Sequence, residues 1–462
     1  MQPRSGEELS ELEARQEPRL VKALEMVAPG AALREGVDSI VHAKTGGLII
    51  IGEPEELSFL FSGGIKLEVD YTPPLLYQLA KMDGALDLNA NATKIAGANV
   101  QLIPDAQIKT KLQTAMGAGN EPQMFWTWGG GPLQSFIKAG KVTSLGTTES
   151  APYLKQFLPS TLGAVTVDGQ VYGVPVEGTQ PVYFFYNKKV FSDNKLTFPK
   201  TFKDLLSDVA TLKSKGIIPI SLGEADQWPG LMYIEYLADR IGGPKVAQAL
   251  QAGTAGAWSD PAITTALTDI QQLVKAGAFG TNYNSTHFNG QSDALVYSGK
   301  AAMQLMGDWD ISSIEGSNPS FVDGGSLGMA PFPSVEGGKG DPADLAGNTA
   351  SYEAISSNVT PAQKAVAEQF FSTMLTSPDY TKAQVKAGEV PAVTGASSLF
   401  TGNLASFDST IYNSVQSAPS FQYSWDQALP PSAATPMLSN LQQIFNLKET
   451  PAQFVAAMNA VK

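Results

Sequence analysis

Three short stretches set an indole beside carboxylates and amides: Glu224-Ala-Asp-Gln-Trp228, Gly307-Asp-Trp-Asp310 and Tyr423-Ser-Trp-Asp-Gln427. Such groupings suit a pyranose, whose C–H face stacks on an aromatic ring while its hydroxyl edge pairs with carboxylates and amides. All six tryptophans (Trp126, Trp128, Trp228, Trp258, Trp309 and Trp425) lie in the long second part of the chain. Tryptophans beside paired carboxylates also mark glycoside hydrolases. Hydrolysis needs two carboxyls about 5–9.5 Å apart across one glycosidic bond, a distance that sequence spacing does not give. A lone aspartate is explained equally well as a helix cap, and packing in the core is the expected role of Trp126 and Trp258. Near the front, Asp83-Gly84-Ala85 is a separate candidate that by itself reads as a turn between helix and strand.

Composition narrows the chemistry. At 462 residues, two or three lobes are expected. The formal charge is −13, and residues 1–108 alone hold nine Lys/Arg against sixteen Asp/Glu. A phosphate backbone is gripped by a basic face, so nucleic acid is not an expected partner. The absence of cysteine excludes disulfides, thiolate catalysis and Cys-based zinc sites. His42 and His287 each lack a neighbouring histidine or an i+4 carboxylate, so no metal centre and no cofactor are expected. The apolar run Leu48-Ile-Ile-Ile51 is too short for a signal core or a membrane span. With an acidic start at Met1-Gln-Pro-Arg-Ser-Gly-Glu-Glu, the chain as written reads as cytoplasmic.

The elements that must position these residues follow from caps and periodicity. Ser5 with Glu8 forms a capping box, and helices are expected over 20–27, 33–44 and 73–82, with strands over 47–51, 65–69 and 99–103. Ile108, Leu112 and Met116 share one face of a helix of two to three turns. Residues 124–128 read as a strand ending in Gly129-Gly-Gly131. Asp260-Pro261, Thr360-Pro361 and Thr450-Pro451 each place an N-cap before a proline at the first helical position. Alternation of helices and short strands predicts an α/β architecture with mostly parallel sheets. The Asp323-Gly324-Gly325 and Gly337-Gly338-Lys339-Gly340 segments read as loops.

Two resemblances divide the chain. Met26-Val-Ala-Pro-Gly30, Leu33-Arg-Glu-Gly36, Lys44-Thr-Gly46, Leu79-Ala-Lys-Met-Asp-Gly-Ala85 and Ala98-Asn-Val-Gln-Leu-Ile-Pro-Asp105 resemble the DNA-integrity-scanning type of diadenylate cyclase. That family condenses two ATP molecules across a dimer. The resemblance makes Asp83 and Gly84 part of the metal-binding, hydroxyl-activating motif and Leu102 part of the adenine-side strand. The Arg-His-Arg motif that grips the triphosphate is absent, and Ile108-Lys-Thr-Lys-Leu-Gln stands in its place. Phosphoryl transfer depends on neutralising the leaving pyrophosphate, so the segment is expected to be a vestigial, inactive nucleotide site. Ala31-Ala32 also departs from the family's usual Thr-Pro.

From Asp105 onward the chain resembles the extracellular solute-binding family that serves ABC importers of oligosaccharides. The motifs are Phe125-Trp-Thr-Trp-Gly-Gly-Gly131, Tyr172-Gly-Val-Pro175 with Phe184-Phe-Tyr-Asn-Lys188, Gly299-Lys-Ala-Ala-Met303 with Gly307-Asp-Trp309, and Gly388-Glu-Val-Pro391. The resemblance implies a two-lobed, type II periplasmic-binding-protein-like α/β fold that closes on ligand about a hinge, preceded by the partial cyclase-like segment at 1–95. Lobe one would hold 96–186 and 344–395, without the family's first strand and helix. Lobe two would hold 187–343 and 396–462. By family position Trp128, Trp228 and Trp309 would be stacking platforms, Glu224, Asp226, Asp308 and Asp426 hydroxyl binders, and Tyr183 and Asn348 cleft-lining groups. The implied function is non-catalytic binding of an oligosaccharide for delivery to a membrane permease, with cyclic di-AMP synthesis the alternative. The joint falls where both families place a strand followed by Pro104-Asp105.

Overall fold

The structure, a computed structural model, describes residues 105–461. The helices and strands expected before residue 105, together with Asp83, Gly84 and Leu102, lie outside the described residues. The chain divides into two compact units between Lys111 and Leu112, and every described strand belongs to the second.

Local sequence accounts for most helix ends. The Ile108, Leu112 and Met116 stripe lies in a helix spanning Asp105–Ala118, longer than the expected two to three turns. Asp260 caps its helix by accepting from the Ala262 N–H at 2.8 Å. Thr360 and Thr450 form capping boxes with Gln363 and Gln453, leaving the prolines at the first turn, where no N–H is needed. The triple glycine differs from expectation. Strand β1 (Met124–Thr127) stops short of it, and Gly130 and Gly131 open a helix, Gly130–Lys138. A Cβ on Gly131 would come within 2.5 Å of the Leu429 carbonyl group, so the glycines let two backbones touch.

Two small strands, β2 (Thr166–Val167) and β3 (Gln170–Val171), form a hairpin. Strand β4 (Gly173–Pro175) follows, then β5 (Gln180–Asn187), β6 (Ile218–Ser221), β7 (Ala301–Gly307), β8 (Leu327–Ala330), β9 (Leu345–Asn348), β10 (Tyr352–Ile355) and β11 (Phe421–Tyr423). β10 lies between β1 and β4, antiparallel to both. The larger sheet runs β11-β9-β5-β7-β6, with β8 pairing on β5 beyond β9.

The expectation of mostly parallel pairing is corrected by β5. Only β11·β9 and β6·β7 pair in parallel, whereas β5 is antiparallel to β7, β8 and β9. Five strands of the large sheet therefore point one way, and the sixth runs against them through the centre. β5 and β7 are covered on both faces, which explains their nearly unbroken apolar sequences.

The main core gathers on this sheet beneath the helices Phe202–Ser214, Trp228–Gly242, Pro261–Ala276 and Pro431–Phe445. One side chain fastens helix to sheet. The Tyr236 hydroxyl donates to the Val182 carbonyl of β5 at 2.6 Å and accepts from the Ala346 N–H of β9 at 3.3 Å. Tyr236 also stacks on Phe332 with centroids 4.9 Å apart. Tyr236→Phe keeps the ring but orphans two buried backbone groups, so it is expected to lower unfolding free energy by about 1–3 kcal/mol in a urea titration.

Candidate functional site

The strand register brings distant segments to one edge. Tyr423 of β11 faces Gly347 of β9, Gly347 faces Pro181 of β5, and Val182 faces Gly307 of β7. On β6, Ser221 faces Gln304, so the loop carrying Glu224 continues toward the level of Gly307. The C-terminal ends of β6, β7, β9 and β11 thus line up, and these ends with the segments that follow them carry seven of the nine expected ligand residues. Crevices at the carboxyl ends of strands are the usual binding places in open α/β sheets.

One cluster is aromatic. Trp228, opening the helix after the β6 loop, lies 6.1 Å from Trp309 and 4.7 Å from Phe288 between ring centroids. Trp309 follows β7 directly and its ring covers Gly307, where an added Cβ would come 1.9 Å from a ring atom. Gly307 is therefore the floor beneath an indole that larger residues would displace. Asp226 ties the neighbouring segment down, accepting from His287 Nδ1 at 2.7 Å and from the Phe288 N–H at 2.8 Å. All three rings remain partly exposed.

A second group is polar. Asn348 Nδ2 donates to Gln180 Oε1 at 3.2 Å, joining the end of β9 to the start of β5. Asp426 accepts from Ser424 Oγ at 3.1 Å and Gln427 Nε2 at 2.8 Å. The Tyr423 hydroxyl donates to the Trp128 carbonyl, bringing the end of β1 to this group. The Trp128 ring packs edge-on against Trp126 at 4.2 Å. Beneath the Asp426 turn, Glu235 accepts from the Trp425 N–H at 2.7 Å and Ser424 Oγ at 2.9 Å.

Three expected residues are buried in this conformation. Glu224 is fully covered, against Phe445 and the first turn of the Trp228–Gly242 helix. Burial pushes its carboxyl well above the usual range, opposed by the Gly230 N–H. Asp308 is raised by burial and then by nearby Glu389, and burial likewise raises the Tyr183 phenol. The expected packing role of Trp258 and the setting of Trp425 are plain: Trp258 lies edge-on to Trp425 and Phe454, and Trp425 is fully buried. Sequence reasoning passed over Phe288, Gln180 and Glu235. Nothing in their local pattern marks them, because each gains its place from a strand or helix far away in the chain.

The fold has counterparts among known proteins. Residues 96–382 match the family described as bacterial extracellular solute-binding protein. The chain belongs to that family. A structure from work on xylan utilization by the thermophilic bacterium Caldanaerobius polysaccharolyticus is 29% identical, with a TM-score of 0.72, over 82% of this chain and 95% of that one. A chitin oligosaccharide binding protein is 23% identical, with a TM-score of 0.68, over 86% and 97% of the two chains. The latter shows a shared fold alone.

Residues 34–119 match the DisA bacterial checkpoint controller nucleotide-binding family. DNA integrity scanning protein DisA of Clostridium acetobutylicum is 43% identical over 102 residues, 22% of this chain and 29% of that protein. The protein of the same name from Carboxydothermus hydrogenoformans is 51% identical over 90 residues, 20% of this chain and 26% of its own. The chain spans less than a third of the length of these relatives. It is a solute-binding protein fused behind a diadenylate-cyclase-like segment, with a two-lobed α/β fold. The extracellular family gives no support to the cytoplasmic expectation. Among the described residues, no helix is long and apolar enough to cross a membrane.

Glu235 gives the fold a pH dependence. Burial, with Asp426 nearby, pushes its carboxyl up to about 8, although the Trp425 N–H and Ser424 oppose the shift. A raised acid stabilises the fold fully below its unfolded value near 4.5, and that contribution is lost as pH rises through about 8. The Glu235 contribution is therefore expected to lower Tm by on the order of 5 °C between about pH 5 and pH 9, in addition to the fall from other buried carboxyls such as Glu353 and Glu389. Differential scanning calorimetry of Glu235→Gln should show a shallower decline.

Proposed function

We propose that this solute-binding protein takes up an oligosaccharide between two lobes and presents it to the permease of an ABC importer at the cell exterior. The observation that carries this reading is the partly exposed Trp228–Trp309–Phe288 cluster beside the polar Asn348–Gln180 and Asp426–Gln427 pairs, all at one sheet edge. Indole faces suit the C–H faces of pyranoses, and the amides and carboxylates suit their hydroxyls. Trp228, Trp309 and Trp128 would stack on sugar rings, while Asp226, Asp426 and Asn348 would meet hydroxyls. Glu224, Asp308 and Tyr183 lie too deep for direct contact in this conformation and would shape the supports of Trp228 and Trp309. The lobes would be 96–186 with 344–395, and 187–343 with 396–462. Their boundaries adjoin the ends of β5 and β9, which would act as the crossing strands when the lobes close.

The family is a binding family, and no catalytic step is invoked. Calorimetric titration of xylotriose, maltotriose and chitotriose should give binding for at least one. Trp309→Ala should then weaken it by about ten- to a hundredfold, the loss of one stacking platform. Failure of every sugar, or unchanged affinity in Trp309→Ala, argues against this site.

The front segment carries a second reading, because the nucleotide-binding match spans Asp83-Gly84-Ala85. We infer that it does not make cyclic di-AMP, since the chain has no Arg-His-Arg triplet to hold a triphosphate. Incubation of the full chain with ATP and Mn²⁺ should leave the nucleotide unchanged by chromatography. Accumulation of the cyclic dinucleotide would reverse that inference.

A further inference from the structure

A buried chain of hydrogen bonds runs behind the aromatic cluster. Ser221 of β6 donates to the Ser292 carbonyl at 2.9 Å and meets Ser292 Oγ at 2.8 Å. Ser292 Oγ donates to Gln304 Oε1 of β7 at 3.0 Å, and Gln304 Nε2 donates to Asp310 Oδ2. All four residues are no more than 3% exposed. Their direction is set by chemistry. The Ser292 proton is committed to Gln304, so the Ser221 proton must point at Ser292. The Ser292 hydroxyl and the Gln304 amide therefore both donate in the direction of the Asp310 carboxyl.

The two ends of this line matter. Ser292 closes the single π-helical turn Phe288–Ser292, whose first residue packs on Trp228. Asp310 is the neighbour of Trp309 in the helix Trp309–Ser317. We infer that Gln304 and Asp310 are positioning residues that hold Phe288 and Trp309 on either side of Trp228. Gln304 bonds both segments at once, and it does so from the rigid centre of β7. Single π-turns are rare and recur at functional sites, and a polar network buried this deeply fixes geometry because each unpaired member is costly. Support of this kind is what keeps a recognition face within the tolerance that binding needs. The inference rests on the proposed binding role of Trp228 and Trp309 for its meaning, although its structural half can be read without any sugar.

The test uses the full chain and near-ultraviolet circular dichroism. Trp228 and Trp309 are close enough, at 6.1 Å, for their indole transitions to couple. Gln304→Leu and Asp310→Ala should each remove the part of the tryptophan signal that Trp228→Phe removes, while far-ultraviolet spectra stay unchanged. Asp310→Asn keeps an acceptor for Gln304 and should retain the signal. Ser292→Ala removes one link with little change of volume and carries the test should the larger changes prevent folding. Where xylotriose, maltotriose or chitotriose binds, affinity should fall at least fivefold in the first two variants and less than twofold in Asp310→Asn. Folded Gln304→Leu or Ser292→Ala protein with a wild-type tryptophan signal overturns the inference, as does equal damage from Asp310→Asn and Asp310→Ala. A changed signal with no sugar bound by any form upholds the positioning role and counts instead against the sugar-binding reading.

Discussion

β5 is the strand on which the rest of the described structure depends. It runs against its five companions in the large sheet and touches three of them, β7, β8 and β9. Its first residues pair with β9 and its later ones with β8, so one strand holds two chain segments in a common register. The Tyr236 hydroxyl then fixes β5 and β9 to the helix above them. Because register shifts in a sheet move every side chain to the opposite face, this pairing decides which residues reach the edge where Trp309, Asn348 and Asp426 follow their strands.

The edge is built from buried polar groups as much as from exposed rings. Glu235 holds the turn that carries Asp426, Asp226 holds the segment that carries Phe288, and Gln304 bonds two segments at once. Glu235 and Asp226 each accept a backbone N–H from another element, while Gln304 bonds the Ser292 hydroxyl and the Asp310 carboxyl. In Glu235, as in Glu224 and Asp308, burial dominates and the neutral carboxyl is favoured. The paired contacts of Glu235, Asp226 and Gln304 make the arrangement specific, since an alternative packing would break them.

The two family matches overlap in the chain. Residues 96–119 fall within both family matches. Within that overlap the helix Asp105–Ala118 begins at the aspartate of the Pro104-Asp105 step.

Much of this protein was legible in its residues. Caps at Asp260, Thr360 and Thr450 are set by neighbours two or three residues away, and ordered motifs from Phe125 to Pro391 identified the family and its two-lobed fold. The tryptophans beside carboxylates pointed to loops that the fold gathers at one sheet edge. Local pattern could not reveal the reversal of β5, because an apolar strand buried on both faces reads the same in either direction. Nor could it show that Glu224 is covered while Asp226 is engaged with His287, two residues apart in one short turn. Phe288, Gln180 and Gln304 likewise gained their places only from tertiary structure. Their partners lie tens to hundreds of residues away or on another element, and burial and hydrogen-bond pairing at that range are properties of the folded chain.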